Sequence, residues 1–185
     1  MELRRFLAAV DASLSGPARM ILVGGCALAI GYEVGSGTRD IDTWQTDLGG
    51  LRAAIARARD VTGLDIPVGS AAAGDVPYDY ESRLRRVMAD LRHLEVYVLE
   101  KHDLALSKIL RCDERDLMAL EDLHRLQKLD EETLVARYMG EMDHAIGDPA
   151  RIDLNLVVAV ERLFGEIEAD GVRRRVESWR RRSPR

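Results

Sequence analysis

The first half of the chain alternates between helical spacing of apolar residues and short apolar runs typical of buried strands. Residues 3–14 carry apolar side chains three or four positions apart, which predicts an amphipathic helix that ends at Gly16-Pro17. Turn-forming residues flank several short runs that are either apolar or alternate between apolar and polar residues. Such runs predict strands. The predicted strands cover residues 20–23, 40–44, 66–68 and 94–99, with a strand or short helix at 84–88 and helices at 26–30 and 51–59.

The second half of the chain shows only helical patterns. Asp103 is predicted to cap one helix and Asp113 to start the next, because each precedes leucines at helical spacing. Two further helices are predicted at 131–142 and 152–168. The arginine-rich end is predicted to be a basic, frayed tail.

These patterns predict an α+β fold with three consecutive regions. Residues 1–101 form a small mixed sheet flanked by helices, residues 102–172 form a helical region packed on it, and residues 173–185 form the basic tail.

Composition narrows the class of protein. The chain has 185 residues, a net charge of -5 and 46% hydrophobic residues, which is ordinary for a soluble globular domain and unlike a general nucleic-acid binder. We expect no membrane partner, because no apolar run reaches the roughly 20 residues of a membrane helix. The two cysteines lack zinc-ligand spacing, and the amphipathic start is unlike a signal peptide, so we expect a cytoplasmic protein.

The candidate chemistry begins with an acidic pair on a predicted strand. Asp40 and Asp42 lie two residues apart, so their carboxylates share one face while Ile41 turns into the core. Two close anions repel unless a cation lies between them, and Mg²⁺ prefers carboxylate and phosphate oxygens. The pair alone is weak evidence, because surface strands also carry such pairs by chance.

The residues around this pair strengthen the hypothesis. Gly24-Gly25 follows a predicted strand and opens into a short helix, a combination in which backbone approaches a phosphate and helix amides attract it. Glu95 lies on another predicted strand and is a candidate third carboxylate. Three acids beside a phosphate-binding turn would hold two metals for displacement at phosphorus.

Three segments carry a family resemblance: LVGGCALAIGYEVGSGTRDIDTW, LEVYVLEKHDLALSKILR and CDERDLMALEDLHRL. Together they resemble polymerase-beta-like nucleotidyltransferases, most closely uncharacterised bacterial members and more distantly toxins of the abortive-infection type. The resemblance spans roughly Ile21 to Tyr138. The second turn position is Gly25 where the family pattern has serine.

The resemblance implies a role for each matching residue. Gly24 and Gly25 would cradle a nucleoside triphosphate (NTP), and Asp40 and Asp42, with Glu95, would bind Mg²⁺. Lys108 would contact a phosphate as a point charge, although a lysine beside an apolar helix face can simply extend to solvent. Thr38 and Arg39 are further candidates for nucleotide contact; a solvated or ion-paired Arg39 is the alternative. Asp116 and Asp122 are expected to stabilise helix packing, with Arg111 or Arg115 as partners.

The implied activity is Mg²⁺-dependent transfer of a nucleotidyl group from an NTP to a hydroxyl. The acceptor is open between tRNA, a protein and a small molecule, and the resemblance to toxins implies an antitoxin protein as a partner. The alternative is a catalytically weak or inactive module that binds a nucleotide or a protein on the same fold.

Overall fold

A computed structural model describes the chain over residues 2–35, 37–71 and 75–182. Within these ranges, helices and strands alternate through the first half and a run of helices follows in the second. This arrangement confirms the predicted α+β class, a mixed sheet flanked by helices and followed by a helical C-terminal half. In the described ranges no helix is both long enough and apolar enough to cross a membrane.

The chain forms two compact units by its internal contacts. The sheet unit combines Met1–Gly74 with Arg83–Glu100, and the helical unit combines Asp75–Ser82 with Lys101–Arg185. The segment Asp75–Ser82 therefore groups with the helices, although part of the sheet unit follows it in sequence.

The sheet unit contains three helices and five strands among the described residues. The helices are α1 (Glu2–Ala12), α2 (Gly24–Tyr32) and α3 (Leu48–Thr62). The strands are β1 (Ala18–Val23), β2 (Ile41–Trp44), β3 (Val68–Ser70), β4 (Arg85–Val87) and β5 (Leu94–Val98). Their order is β3-β2-β1-β5-β4, with β1 antiparallel to β2 and parallel to β5.

One face of this sheet is buried in the core of the unit. Along β5 the buried residues alternate with half-buried ones, as the period of two in a strand requires. Helix α2 packs on β1 and β2, and α1 packs against α3. The buried core-face residues of the three central strands are Met20, Leu22, Ile41, Thr43, Leu94, Val96 and Val98.

A buried carboxylate joins the first helix to the sheet. Asp11 is 8% exposed, and its Oδ1 accepts hydrogen bonds from the amides of His93 at 2.6 Å and Leu94 at 2.7 Å. Its Oδ2 accepts a third from the amide of Arg92 at 3.1 Å. Burial alone would raise the pKa of this carboxyl, but the three amide donors outweigh burial and hold the pKa below its usual range. Asp11 therefore fixes where β5 enters the sheet.

The helical unit is a bundle whose first helix packs on the next three and whose last two helices pack on each other. Its helices are α4 (Lys101–Ile109), α5 (Glu114–Gln127), α6 (Glu131–Glu141), α7 (Pro149–Phe164) and α8 (Glu166–Arg182). Aspartates cap three of them, because the side chains of Asp113, Asp130 and Asp148 accept a backbone amide from the first turn of α5, α6 and α7. The cap predicted at Asp113 is thus confirmed.

The predicted cap at Asp103 is wrong. Helix α4 begins at Lys101, so Asp103 lies inside its first turn, fully buried. Its carboxylate accepts a hydrogen bond at 2.9 Å from the guanidinium of Arg137 on α6. The aspartate therefore joins two helices instead of capping one.

The predicted ends of the last helices are also corrected. A single helix at 152–168 is wrong, because Gly165 has a φ of 116°, a conformation that other residues rarely adopt, and it separates α7 from α8. The frayed tail is wrong up to Arg182, because Val172 and Val176 are buried at helical spacing and keep α8 packed on α7. Residues 183–185 lie outside the described residues.

We expect Asp11→Ala to lower the free energy of unfolding by about 3 kcal/mol, because three buried amides lose a charged acceptor. Asp11→Asn should lose less, since one carbonyl oxygen can still accept the bonds from His93 and Leu94. Urea denaturation followed by circular dichroism measures both variants.

The pH dependence provides an internal check. A carboxyl with a lowered pKa stabilises the fold above its unfolded pKa, and that contribution is lost as pH falls through the folded pKa. Wild type should therefore lose stability more steeply than Asp11→Ala below about pH 4. Parallel stability curves in acid would contradict the role of Asp11.

Candidate active site

The turn between β1 and α2 places the first amides of α2 at the end of the sheet. Val23 is extended, with φ -133° and ψ 178°, and α2 begins directly at Gly24, which has a φ of 64°. The apolar Val23 gives no side-chain cap to the first amides of α2. Amides at a helix N-terminus attract anions, so this turn can bind a phosphate group.

The pairing of β1 with β2 places one carboxylate against this turn. Asp42 is the partner of Val23 in the antiparallel register, and it is half-buried. A Cβ built on Gly24 would lie 3.2 Å from Oδ2 of Asp42, so the carboxyl group packs on the bare Cα of the glycine. This contact confirms that the acidic strand and the glycine turn meet.

The second carboxylate of the pair lies just before β2. Asp40 is exposed, and the hydroxyl of Thr38 donates a hydrogen bond to its Oδ1. Ile41 between the two acids is fully buried, as predicted.

Both acids act on the buried thiol of Cys26 in the first turn of α2. Burial is the main cause that raises the pKa of this thiol to about 12, and the negative charges of Asp42 and Asp40 raise it further. The Sγ of Cys26 lies 3.0 Å from the carbonyl oxygen of Val23 and 3.5 Å from that of Asp42. The two carboxylates and the start of α2 therefore share one electrostatic environment.

These carboxylates and amides are of the chemical types that a site for Mg²⁺ and phosphate uses. Mg²⁺ often takes one or two carboxylates and completes its shell with phosphate oxygens and water. Asp42 and Asp40 supply such carboxylates beside amides suited to a phosphate. No group of three acidic, histidine or cysteine side chains placed to hold a metal occurs within residues 2–35, 37–71 and 75–182.

Residues 2–164 match a protein family described as "Nucleotidyltransferase of unknown function (DUF6036)". The chain belongs to this family. The match contains the β1–α2 turn and both acids, and it confirms the resemblance to nucleotidyltransferases. No curated protein and no solved structure matched the chain.

The structure does not bring Glu95 to the β1–α2 turn. Glu95 pairs in register with Arg19, four residues before the strand position of Asp42's partner, Val23. At about 3.3 Å per residue, Glu95 lies roughly 13 Å further down the sheet than Asp42. It forms an ion pair at 3.7 Å with Arg86.

A different acid follows β5 at the end of the sheet where the turn lies. The parallel register pairs Leu22 with Val98, and two residues further along each chain come Gly24 and the half-buried Glu100. The prediction missed Glu100 because it lies beyond the alternating strand pattern. Its position just after β5 could have identified it, because acids at the carboxyl ends of neighbouring parallel strands meet at one edge of the sheet.

Thr38 and Arg39 line a surface cavity of about 540 Å³ in the sheet unit. Residues of α1, the end of α2 and the segment before β3 form the rest of its wall. Arg39 is exposed and precedes the acidic pair directly. A nucleotide role for both residues remains a prediction.

Lys108 is held inside the helical unit. It is 6% exposed, and its Nζ lies 2.8 Å from Oδ1 of Asp116, which is 1% exposed. The guanidinium of Arg111 donates two further hydrogen bonds to the same carboxylate, at 3.0 and 2.8 Å. Burial alone would raise the pKa of Asp116, but its bonds from Arg111 and Lys108 hold the pKa low. The predicted packing role of Asp116 with Arg111 is confirmed, and any phosphate contact by Lys108 stays a prediction.

We expect Asp116→Ala to lower the free energy of unfolding by about 3 to 5 kcal/mol, because Lys108 would remain buried without its counter-charge. The matched control is Lys108→Met with Asp116→Leu, which removes both charges and keeps an apolar core. Urea denaturation should find the double variant much closer to wild type than Asp116→Ala. Equal losses in the two variants would argue against an ion pair as the stabilising contact.

We expect Gly24→Ala to destabilise the chain more than Gly63→Ala. Both glycines have a left-handed backbone, which costs an alanine about 1 to 2 kcal/mol, but a Cβ on Gly63 meets nothing within 4 Å. The excess at Gly24 comes from contact with Asp42, so it should vanish when Asp42→Ala is also present. Thermal unfolding of Gly24→Ala, Gly63→Ala, Asp42→Ala and Gly24→Ala/Asp42→Ala measures this excess. An excess that persists when Asp42 is replaced would locate the strain elsewhere.

Proposed function

We propose that this nucleotidyltransferase family member is a Mg²⁺-dependent enzyme that transfers a nucleotidyl group from an NTP to an acceptor hydroxyl. The observation that supports it most directly is the carboxylate of Asp42 packed on Gly24 at the start of α2. The pairing of β1 with β2 thus places a carboxylate oxygen suited to a metal next to helix amides suited to a phosphate. Neither feature alone would favour nucleotide chemistry over a structural turn.

Each residue of the turn has a distinct part in this proposal. Asp42 and Asp40 would hold Mg²⁺, which neutralises charge on the triphosphate. The bare Cα of Gly24 and the first amides of α2 would let phosphate oxygens approach the backbone closely. Thr38, by its bond to Asp40, would orient the more exposed of the two carboxylates.

The reaction would be an in-line displacement at the α-phosphorus. The acceptor oxygen forms a bond to phosphorus, the bond to the β-phosphate oxygen breaks, and pyrophosphate leaves. The proton of the acceptor hydroxyl passes to a carboxylate. We assign that role to Glu100, because it lies at the same end of the sheet as Gly24, whereas Glu95 is paired with Arg86 further down.

A non-catalytic binding module is the second candidate. The placement of Glu95 away from the turn favours it, because the third acid predicted from the sequence does not join the pair. Gly25 also lacks the hydroxyl that the family pattern has at that position. Such a module would bind NTP tightly without transferring any part of it. A role as the toxin of a toxin–antitoxin pair also remains a prediction, which growth arrest on expression would test.

Incubation with each labelled NTP, Mg²⁺ and a cell extract tests the enzyme directly. We expect wild type to label an acceptor, and Asp42→Asn to lower the rate by about 100-fold to 1000-fold, because charge at the reacting phosphate loses its partner. The matched control is Asp60→Asn, an exposed aspartate on α3. Equal, background labelling by wild type and Asp42→Asn would overturn the enzyme, and Mg²⁺-dependent NTP binding without transfer would favour the binding module.

A further inference from the structure

Helix α7 carries apolar residues on its exposed side. Ala150, Leu154 and Val158, which we name the apolar stripe, follow one another at one helical turn, and Leu154 is 57% and Val158 38% exposed. Within residues 2–35, 37–71 and 75–182, Leu154 and Val158 are the only exposed large apolar residues that lie one turn apart. Single exposed apolar residues are ordinary, whereas a contiguous apolar patch is typical of an interaction site.

A groove between α7 and α8 continues this surface. Its cavity has a volume of about 480 Å³, and Leu154 and the buried Val157 and Val176 are among the residues that line it. On α8 it is lined by Glu177 and Arg181, which we name the charged pair and which are exposed and four residues apart. The groove can thus take an apolar side chain beside one negative and one positive charge.

The charged pair is not used inside the helical unit. In the described part of that unit, residues 75–182, neither Glu177 nor Arg181 forms an ion pair. The neighbouring Arg180 does, since its guanidinium donates hydrogen bonds to Asp153 of α7 at 2.8 and 2.9 Å. Glu177 and Arg181 are therefore available to a partner.

The bonds between Arg180 and Asp153 also fix the level of the apolar stripe against α8. The two helices run antiparallel, because Gly165 alone separates them and they pack on each other. One residue after Asp153 is Leu154, and one residue before Arg180 is Trp179, the midpoint of the charged pair. The centre of the apolar stripe therefore lies close to the level of the centre of the charged pair.

A two-fold axis that crosses α7 and α8 at this level would make the surface complementary to itself. Residues equally far above and below such an axis lie opposite one another in the two copies. Leu154 then faces Leu154 of the second copy, and Ala150 faces Val158. Glu177 faces Arg181 of the second copy and Arg181 faces Glu177, so two ion pairs lie beside an apolar centre.

The apolar stripe decides between this register and another one that matches charges. Arg173 is exposed and lies four residues before Glu177, so an axis midway between them would also pair opposite charges. That axis would cross α7 at Val158 and set Leu154 opposite the exposed Arg162 of the second copy. The axis at Leu154 instead keeps apolar residues opposite apolar ones.

We propose that the helical unit pairs with a second copy of this chain through the apolar stripe and the charged pair. A second copy is the partner that fits, because one chain carries both halves of each ion pair at equal distances from Leu154. Two helices about 10 Å wide and about 24 Å long offer roughly 500 Å² per copy, near the lower limit of a specific interface. We therefore expect a dimer that dissociates at micromolar concentration. This pairing is independent of the proposed function.

Sedimentation velocity of the full chain without NTP, from about 1 to 200 µM, measures the association. We expect Leu154→Glu to weaken it by about 100-fold, because it sets two carboxylates against each other at the axis. The matched control is Ile167→Glu, which adds the same charge at a residue of α8 that is 83% exposed and does not line the groove. Circular dichroism confirms that both variants are folded.

Charge reversal tests the register. Glu177→Arg and Arg181→Glu each set like charges opposite one another and should weaken the association by about 10-fold. An equimolar mixture of these two variants should restore it, because each chain then meets the opposite charge on the other. The double variant Glu177→Arg/Arg181→Glu should associate like wild type, since both ion pairs are reversed together.

Three results would overturn the proposal. One is a wild type that stays monomeric up to about 200 µM, which would leave the apolar stripe to a different protein. Another is an association that Ile167→Glu weakens and Leu154→Glu does not, which would place the interface elsewhere. The third is a mixture of the two charge variants that associates no better than either variant alone, which would contradict the two-fold register.

Discussion

The antiparallel register of β1 and β2 is the constraint on which the rest of the candidate site depends. By pairing Val23 with Asp42, it sets a carboxyl group directly against residue 24. That position must then lack a side chain, and its left-handed backbone turns the chain at once into α2. The direction of α2, the access to its first amides and the location of the acid all follow from this one pairing. A shift of one residue would turn Asp42 to the opposite face of the sheet.

Sequence patterns predicted most elements because those patterns are local. The apolar run before Gly24 and the alternation in β5 each gave a strand close to the observed bounds. Alternation also identifies which residues share a face of a strand. It does not give their position along the strand direction relative to residues of other strands. That position depends on the register with a partner strand many residues away. The pattern therefore predicts Glu95 beside Asp42, whereas the register puts Glu95 four residues further down the sheet. Glu100 escapes sequence analysis for the same reason. It lies after the alternating residues of β5, so only its place at the end of the sheet identifies it.

The helical unit shows a second kind of limit. The run of arginines after Gly171 was interpreted by its charge, although Val172 and Val176 at a spacing of four already indicated a packed helix. In α4, the sequence showed Lys108 among leucines and suggested either a solvent-seeking or a phosphate-binding amine. Its actual partner, Asp116, lies across a turn that Cys112 makes with a φ of 53°. Charge partners across a turn depend on backbone geometry that residue spacing does not encode.

The protonated thiol of Cys26 has a consequence for how the site can be regulated. A thiolate is the form that reacts with peroxides, disulfides and electrophiles, and a buried thiol with a pKa near 12 is almost never in that form at neutral pH. A reactive sulfur one turn from Gly24 would otherwise couple the site to the oxidation state of its surroundings. Burial instead keeps this cysteine in its unreactive, protonated form beside the turn.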